Sequence, residues 1–98
     1  MPYEPWLLGQ LKDARHAAAY LEAVIEDGDQ GAIMVALRQI AQAQGGIAQI
    51  ARKANLTREA TYKMLSKSGN PELRSLKALL RATGLRLAVR PIEKRAAR

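Results

Sequence analysis

Apolar residues along most of the chain recur every three or four positions, the spacing of helices that bury one face. Ala17, Tyr20, Leu21, Val24 and Ile25 make the first such run, with Asp13 placed to cap it and Gly28 to end it. A second run, Ile33, Ala36, Leu37, Ile40 and Ala41, follows the capping residue Asp29 and stops at Gly45-Gly46. Ile47, Ile50, Ala51 and Ala54 predict a short third helix. Asn55-Leu56-Thr57 then interrupts, and Thr57 caps a fourth helix whose inner face is Ala60, Thr61, Met64 and Leu65. Ser68-Gly69-Asn70-Pro71 reads as a turn. A fifth helix places Leu73, Leu76, Leu79 and Leu80 inside and ends at Gly84.

The period changes after that glycine. Leu85, Leu87 and Val89 alternate with Arg86, Ala88 and Arg90, which predicts a strand over 85–90 closed by Pro91. Residues 92–98 read as a tail. A lone strand leaves its backbone groups unpaired, so it is expected to pair with a second copy, another protein or residues near the N-terminus. Tyr3 and Trp6 precede the first helix in this reading, either packed within the protein or its dimer or forming an apolar patch. The expected architecture is one all-α domain over 1–98, a five-helix bundle with a short C-terminal β-strand.

The break at 55–57 carries the functional signal. A helix-turn-helix lays a short helix across the DNA backbone and sets a second helix in the major groove. Its demands are steric. A small residue is needed where the helices touch, and Ala51 stands there. The turn needs a residue tolerant of positive φ, and Asn55 is the type next to glycine. Leu56 plugs the turn, and Thr57 caps the second helix of the pair. Thr61 stands where a buried aliphatic residue is expected; its hydroxyl can bond back to a carbonyl one turn earlier. The motif spans about residues 47–67.

On the fourth helix Arg58, Glu59, Tyr62, Lys63 and Ser66 form one outward stripe. Arg58 and Glu59 lie in the first turn; Arg pairs with guanine O6 and N7, and Glu accepts from the cytosine amino group. Lys63 is placed for a base or a phosphate, and Tyr62 for a phosphate or a thymine methyl. The base-contacting candidates are thus Arg58, Glu59, Tyr62 and Lys63. The phosphate-contacting candidates are Thr57, Gln49, Ser66, Lys67 and Asn70, with the amides that come after Gly46.

Charge supports a polyanion partner. The net charge is +7, and it is unevenly spread. Residues 1–46 hold three basic and six acidic residues; residues 47–98 hold 13 basic and three acidic. A basic half of this kind suits DNA, although a solvated basic surface gives the same total.

Other chemistry is thin. There is no cysteine and one histidine, His16, so disulfides and zinc sites of cysteine or several histidines are excluded. Asp13 and Glu22 lie near His16 but no nucleophile does, so it reads as a surface histidine and no enzyme is expected. Asp27-Gly28-Asp29 lacks the other ligands of a calcium loop and reads as a helix stop and cap. Met64 fills core. No cofactor or metal is expected. No signal peptide or membrane span is seen, and the cytoplasm is the expected location.

Longer stretches carry a resemblance. "YLEAVIEDGD", then "ALRQIAQAQGGIAQIARKANLTREATYKMLSKSGNPELRSLKALLRATGLRLAV" with its Asn-Pro turn and terminal strand, resemble the addiction-module antidote proteins. These are HigA-like antitoxins with an XRE/Cro-type helix-turn-helix. The resemblance covers about residues 3 to 90, and the "EDGD…ALRQIAQAQGG" lead-in separates it from other XRE-type repressors. Asn55 departs from the family's usual Gly and Thr61 from its usual Leu. The resemblance implies a lambda-repressor-like bundle that dimerises on a palindromic operator, represses its own operon and neutralises a RelE/ParE-like toxin. Two readings stand beside it: a stand-alone XRE-family phage or plasmid repressor, and a protein-only inhibitor or adaptor whose helix-turn-helix is scaffold.

Overall fold

The computed structural model describes residues 3–93. Six helices succeed one another: α1 (Tyr3–Leu11), α2 (Ala14–Asp27), α3 (Gln30–Ala43), α4 (Ile47–Lys53), α5 (Arg58–Met64) and α6 (Leu73–Ala82). The all-α expectation agrees with this. The expectation of five helices with a C-terminal strand does not.

The sixth helix is α1, which takes in Tyr3 and Trp6 instead of coming after them. Pro5 and Gly9 look like breakers, yet Pro5 lies in the first turn, where no intrahelical N–H is needed. Leu7 and Leu11, one turn apart, bury against the core.

Among the described residues there is no strand, and 85–90 form none. Leu85 packs on the core, and its N–H donates to Leu80 O at 2.8 Å. On either side of it the chain approaches α2: a Cβ on Gly84 would lie 3.7 Å from Ala14 Cβ, and Arg90 Nη2 meets Glu22 Oε2 at 3.0 Å. Its neighbour within the chain is a helix, whose backbone groups are already paired within itself and offer no ladder. Residues 94–98 of the expected tail lie outside the described residues.

Helix ends obey the local chemistry. Asp13 accepts from Arg15 N at 2.8 Å and starts α2; Gly28, at φ 90°, ends it. Asp29 sits at the start of α3 without a side-chain cap bond. The ends of α3, α4 and α6 share one device. The residue two beyond the last helical one takes positive φ, and the next N–H reaches back to a carbonyl of the last helical turn. Gly45 with Gly46 N→Ala41 O (3.0 Å), Asn55 with Leu56 N→Ala51 O (2.9 Å), and Gly84 with Leu85 N→Leu80 O are the three cases.

Buried residues from all six helices join one cluster, and α3 is its centre, lying against α1, α2 and α4. α4 in turn carries α5 and α6. Three residues expected inside are exposed, and Tyr20, Val24, Ile33, Ala54 and Leu76 are partly so. Ile25 is half exposed at the last turn of α2, and Ala60 is exposed on α5. Leu73 opens α6 ahead of the core and is 64% exposed, while Leu76 is only partly buried.

Candidate nucleic-acid interface

The turn between α4 and α5 is built from the residue types its sequence suggested. Asn55 adopts φ 61°, which makes it the sole described non-glycine in the left-handed region. Its short polar side chain tolerates this conformation better than most. Ala51 is buried at the helix contact, and Leu56 packs against the core. Thr57 Oγ1 accepts from Ala60 N at 3.0 Å, closing the cap of α5. Thr61 is fully buried, and its hydroxyl donates to Thr57 O at 2.8 Å. The polar group that departs from an aliphatic pattern is thus satisfied within its own helix.

α5 lies closely against α4 alone among the helices, so one side of it faces out. Arg58, Glu59, Tyr62 and Lys63 are all exposed there, in one stripe. Tyr62 is 47% exposed, and the Arg58 guanidinium carbon stands 5.8 Å from its ring centroid. That cation–π contact limits the conformations of Arg58 without taking up its N–H donors. Arg58, Glu59 and Tyr62 together line a shallow depression.

The other candidates are spread around this stripe. Ser66, partly buried, donates to Lys63 O at 2.9 Å and keeps only acceptor capacity. Thr57 is the reverse case: its oxygen accepts from the backbone, and its proton remains free to donate. Lys67 and Asn70 are exposed in the loop between α5 and α6. Gln49 is exposed on α4, and its amide lies over Gly45. The amides after Gly46 belong to α4, a helix of seven residues.

The stripe is not neutralised. Among the described residues Glu22 pairs with Arg90, and His16 Nδ1 lies 3.9 Å from Asp13 Oδ2. Neither involves Arg58, Lys63 or Lys67. Arg52 and Lys53 at the end of α4, and Arg74, Lys77 and Arg81 on α6, supply further positive charge. Glu22, Glu26 and Asp27 on α2 and Asp29 before α3 are exposed as well; Asp29 adjoins the loop after α5, since a Cβ on Gly31 would lie 4.0 Å from Asp29 Oδ1 and 3.9 Å from Lys67 Cγ. No group of three or more His, Asp or Glu side chains suited to a metal occurs among the described residues. No described helix is long and apolar enough to cross a membrane.

Two polar contacts hold α5 from behind, and neither was visible in the sequence. Arg38 Nη1 donates to Leu65 O at 2.8 Å, and Gln30 Nε2 donates to Gly69 O at 3.1 Å. Both donors stand on α3, far from their acceptors in sequence, and such contacts leave no periodic trace. Gly69 is buried for lack of room: a Cβ there would lie 2.0 Å from Met64 O.

Comparison with known proteins reaches the level of the family. A family model described as "Probable addiction module antidote protein" matches residues 7–91. An uncharacterized protein of Haemophilus influenzae (strain ATCC 51907 / DSM 11121 / KW20 / Rd) is 35% identical over 89 residues, covering 82% of this chain and 91% of that one. No solved structure is significantly similar. A match over most of the chain, through the whole α2–α6 region, shows that this protein belongs to the addiction module antidote family.

Proposed function

We propose that this antidote is a HigA-like, XRE/Cro-type antitoxin. It binds double-stranded operator DNA as a homodimer, represses transcription of its own operon, and neutralises a RelE/ParE-like toxin. The observation that carries the DNA part is the outward stripe of α5, cationic, free of ion pairs and fixed at its start by the Thr57 cap. Arg58 and Glu59, in the first turn, read base edges, with Tyr62 and Lys63 one turn on. Thr57, Gln49, Lys67 and Asn70 hold phosphates on either side; Ser66 joins them by turning its hydroxyl away from Lys63 O, its acceptor in the free protein. A seven-residue recognition helix offers few base contacts, so useful affinity needs two half-sites and hence two copies.

Family membership supplies the toxin half of the reading. The acidic residues Glu22, Glu26, Asp27 and Asp29 favour a basic protein and disfavour DNA. Glu22, Glu26 and Asp27 lie on α2, which does not pack against α4, α5 or α6, whereas Asp29 adjoins the loop of Lys67. Both partners therefore have room.

A gel shift at about 100 mM salt, where charge-driven binding is already weakened, tests the DNA reading. It sets the duplex upstream of the protein's own gene against a scrambled duplex. Retention of the upstream duplex at concentrations that leave the scrambled one free is expected. Equal retention of both refutes operator reading and leaves a protein-only antidote. Native mass spectrometry with the product of the neighbouring gene tests the other half; absence of a complex at micromolar concentrations removes the toxin.

A further inference from the structure

α5 is a short helix with an unusual support. Its first turn is held by the turn it grows from, through Thr57 and the Schellman arrangement at Asn55. Its far end has no helix packed beside it other than α4. What reaches that end is a pair of side chains from α3. Leu65 comes directly after the last helical residue, and its carbonyl is one of those a helix terminus leaves without an intrahelical donor. Arg38 Nη1 supplies the donor, and its positive charge sits where the helix dipole is negative. Four residues on, the chain folds tightly over Met64 at Gly69, and Gln30 Nε2 holds the Gly69 carbonyl. Gln30 and Arg38 are eight residues apart, about 12 Å along α3. The loop that carries Ser66, Lys67 and Asn70 is thereby pinned at two points to the central helix.

From this geometry we infer that Arg38 and Gln30 are positioning residues for DNA recognition. They set the angle at which α5 projects and the place of the phosphate-facing loop, and they touch no DNA themselves. The inference rests on the DNA reading of α5 proposed above. A base contact needs its donor within a few tenths of an ångström of place, so a recognition helix free to swing loses discrimination first. Non-specific attraction depends on charge in the neighbourhood, and it survives the swing.

The test compares the full-length wild type with Arg38→Met, Arg38→Lys and Gln30→Met. Two measurements are made on each: affinity for the upstream and scrambled duplexes, and amide hydrogen exchange by segment. Arg38→Met is expected to lower the upstream-to-scrambled affinity ratio about tenfold, with scrambled binding changed by less than about threefold. Exchange over residues 61–69 should quicken about tenfold while α2 keeps its protection. Arg38→Lys, which keeps a donor and the charge, should recover most of the ratio; Gln30→Met should show a milder loss of the same kind. A wild-type ratio in Arg38→Met overturns the inference, as does exchange that quickens equally in α2, since the arginine is then a general stabiliser. The two measurements separate the claims. If the wild type shows no preference for the upstream duplex, the DNA reading falls and the inference falls with it, whereas local exchange in 61–69 reports the clamp itself.

Discussion

Gly69→Ala is the substitution whose cost can be worked most directly from the geometry. Gly69 does not need its glycine for backbone freedom, because its φ is not positive. It needs it for space: an added Cβ would stand 2.0 Å from Met64 O and 2.8 Å from Met64 C. Both are backbone atoms at the end of α5, so neither can turn aside as a side chain would. Relief requires Gly69 to move by about 1.4 Å away from Met64 and Ser66, from 2.0 Å to the 3.4 Å at which ordinary contact begins. That shift breaks Gly69 N→Ser66 O (2.8 Å) and the Gln30 bond to Gly69 O (3.1 Å), each about 0.5–1.5 kcal/mol. Residual strain adds about 1–3 kcal/mol. The less flexible unfolded chain of the alanine variant returns about 0.4–1 kcal/mol. The net loss is about 1–6 kcal/mol, against a total near 5–15 kcal/mol for a domain of this size. Gly9→Ala is the matched control. Gly9 lies in α1 with nothing within 4 Å of its added Cβ, so alanine there should stabilise by about 0.5–1 kcal/mol. Urea titration followed by circular dichroism gives both values, provided the slope is unchanged. A Gly69→Ala variant within about 1 kcal/mol of wild type refutes the account, because the loop then has slack that the geometry denies.

Three further outcomes are expected. Thr57→Ala removes the oxygen that caps α5 and should cost about 1 kcal/mol in the same titration, with Thr57→Ser restoring most of it. Arg58→Ala should weaken upstream-duplex binding by about 1–3 kcal/mol per half-site and relax sequence preference; equal weakening on random DNA contradicts a base contact. Lys67→Ala should weaken binding to all duplexes alike and reduce the salt slope by about one unit for each phosphate it no longer neutralises, and an unchanged slope removes Lys67 from the phosphate set.

Most of the legible structure was local. Asn55 and Thr57 have local preferences strong enough to act alone, and Leu56 needs only an apolar side chain to plug the turn, so the turn, its positive φ and its cap could be read from residue types. The bond from Thr61 back to Thr57 is likewise a property of one helical turn. Errors arise where a neighbour decides. The alternation of residues 85–90 is a sound strand pattern, but α2 lies alongside and offers no ladder. α1 escapes a reading by residue type because Pro5 and Gly9 suggest a break, although burial of Leu7 and Leu11 holds the helix. Leu73 fits the apolar period of α6, yet it lies a turn short of the core. Within the candidate interface, the stripe of α5 was visible from spacing alone. The Arg38 and Gln30 supports were not, since a hydrogen bond between a side chain and a distant carbonyl emerges only from the assembled fold.

The separation of acidic α2 from the cations of α4, α5 and α6 also acts before the two molecules touch. Opposite charge gathered in different layers gives the molecule a permanent electric moment, and a field gradient turns such a body while it diffuses. On the proposed DNA reading, the molecule would approach a strongly negative rod with α5 leading and α2 trailing, so fewer collisions would be wasted on wrong orientations. The gain in capture rate fades as ions shorten the reach of the field to about 8–10 Å in physiological salt.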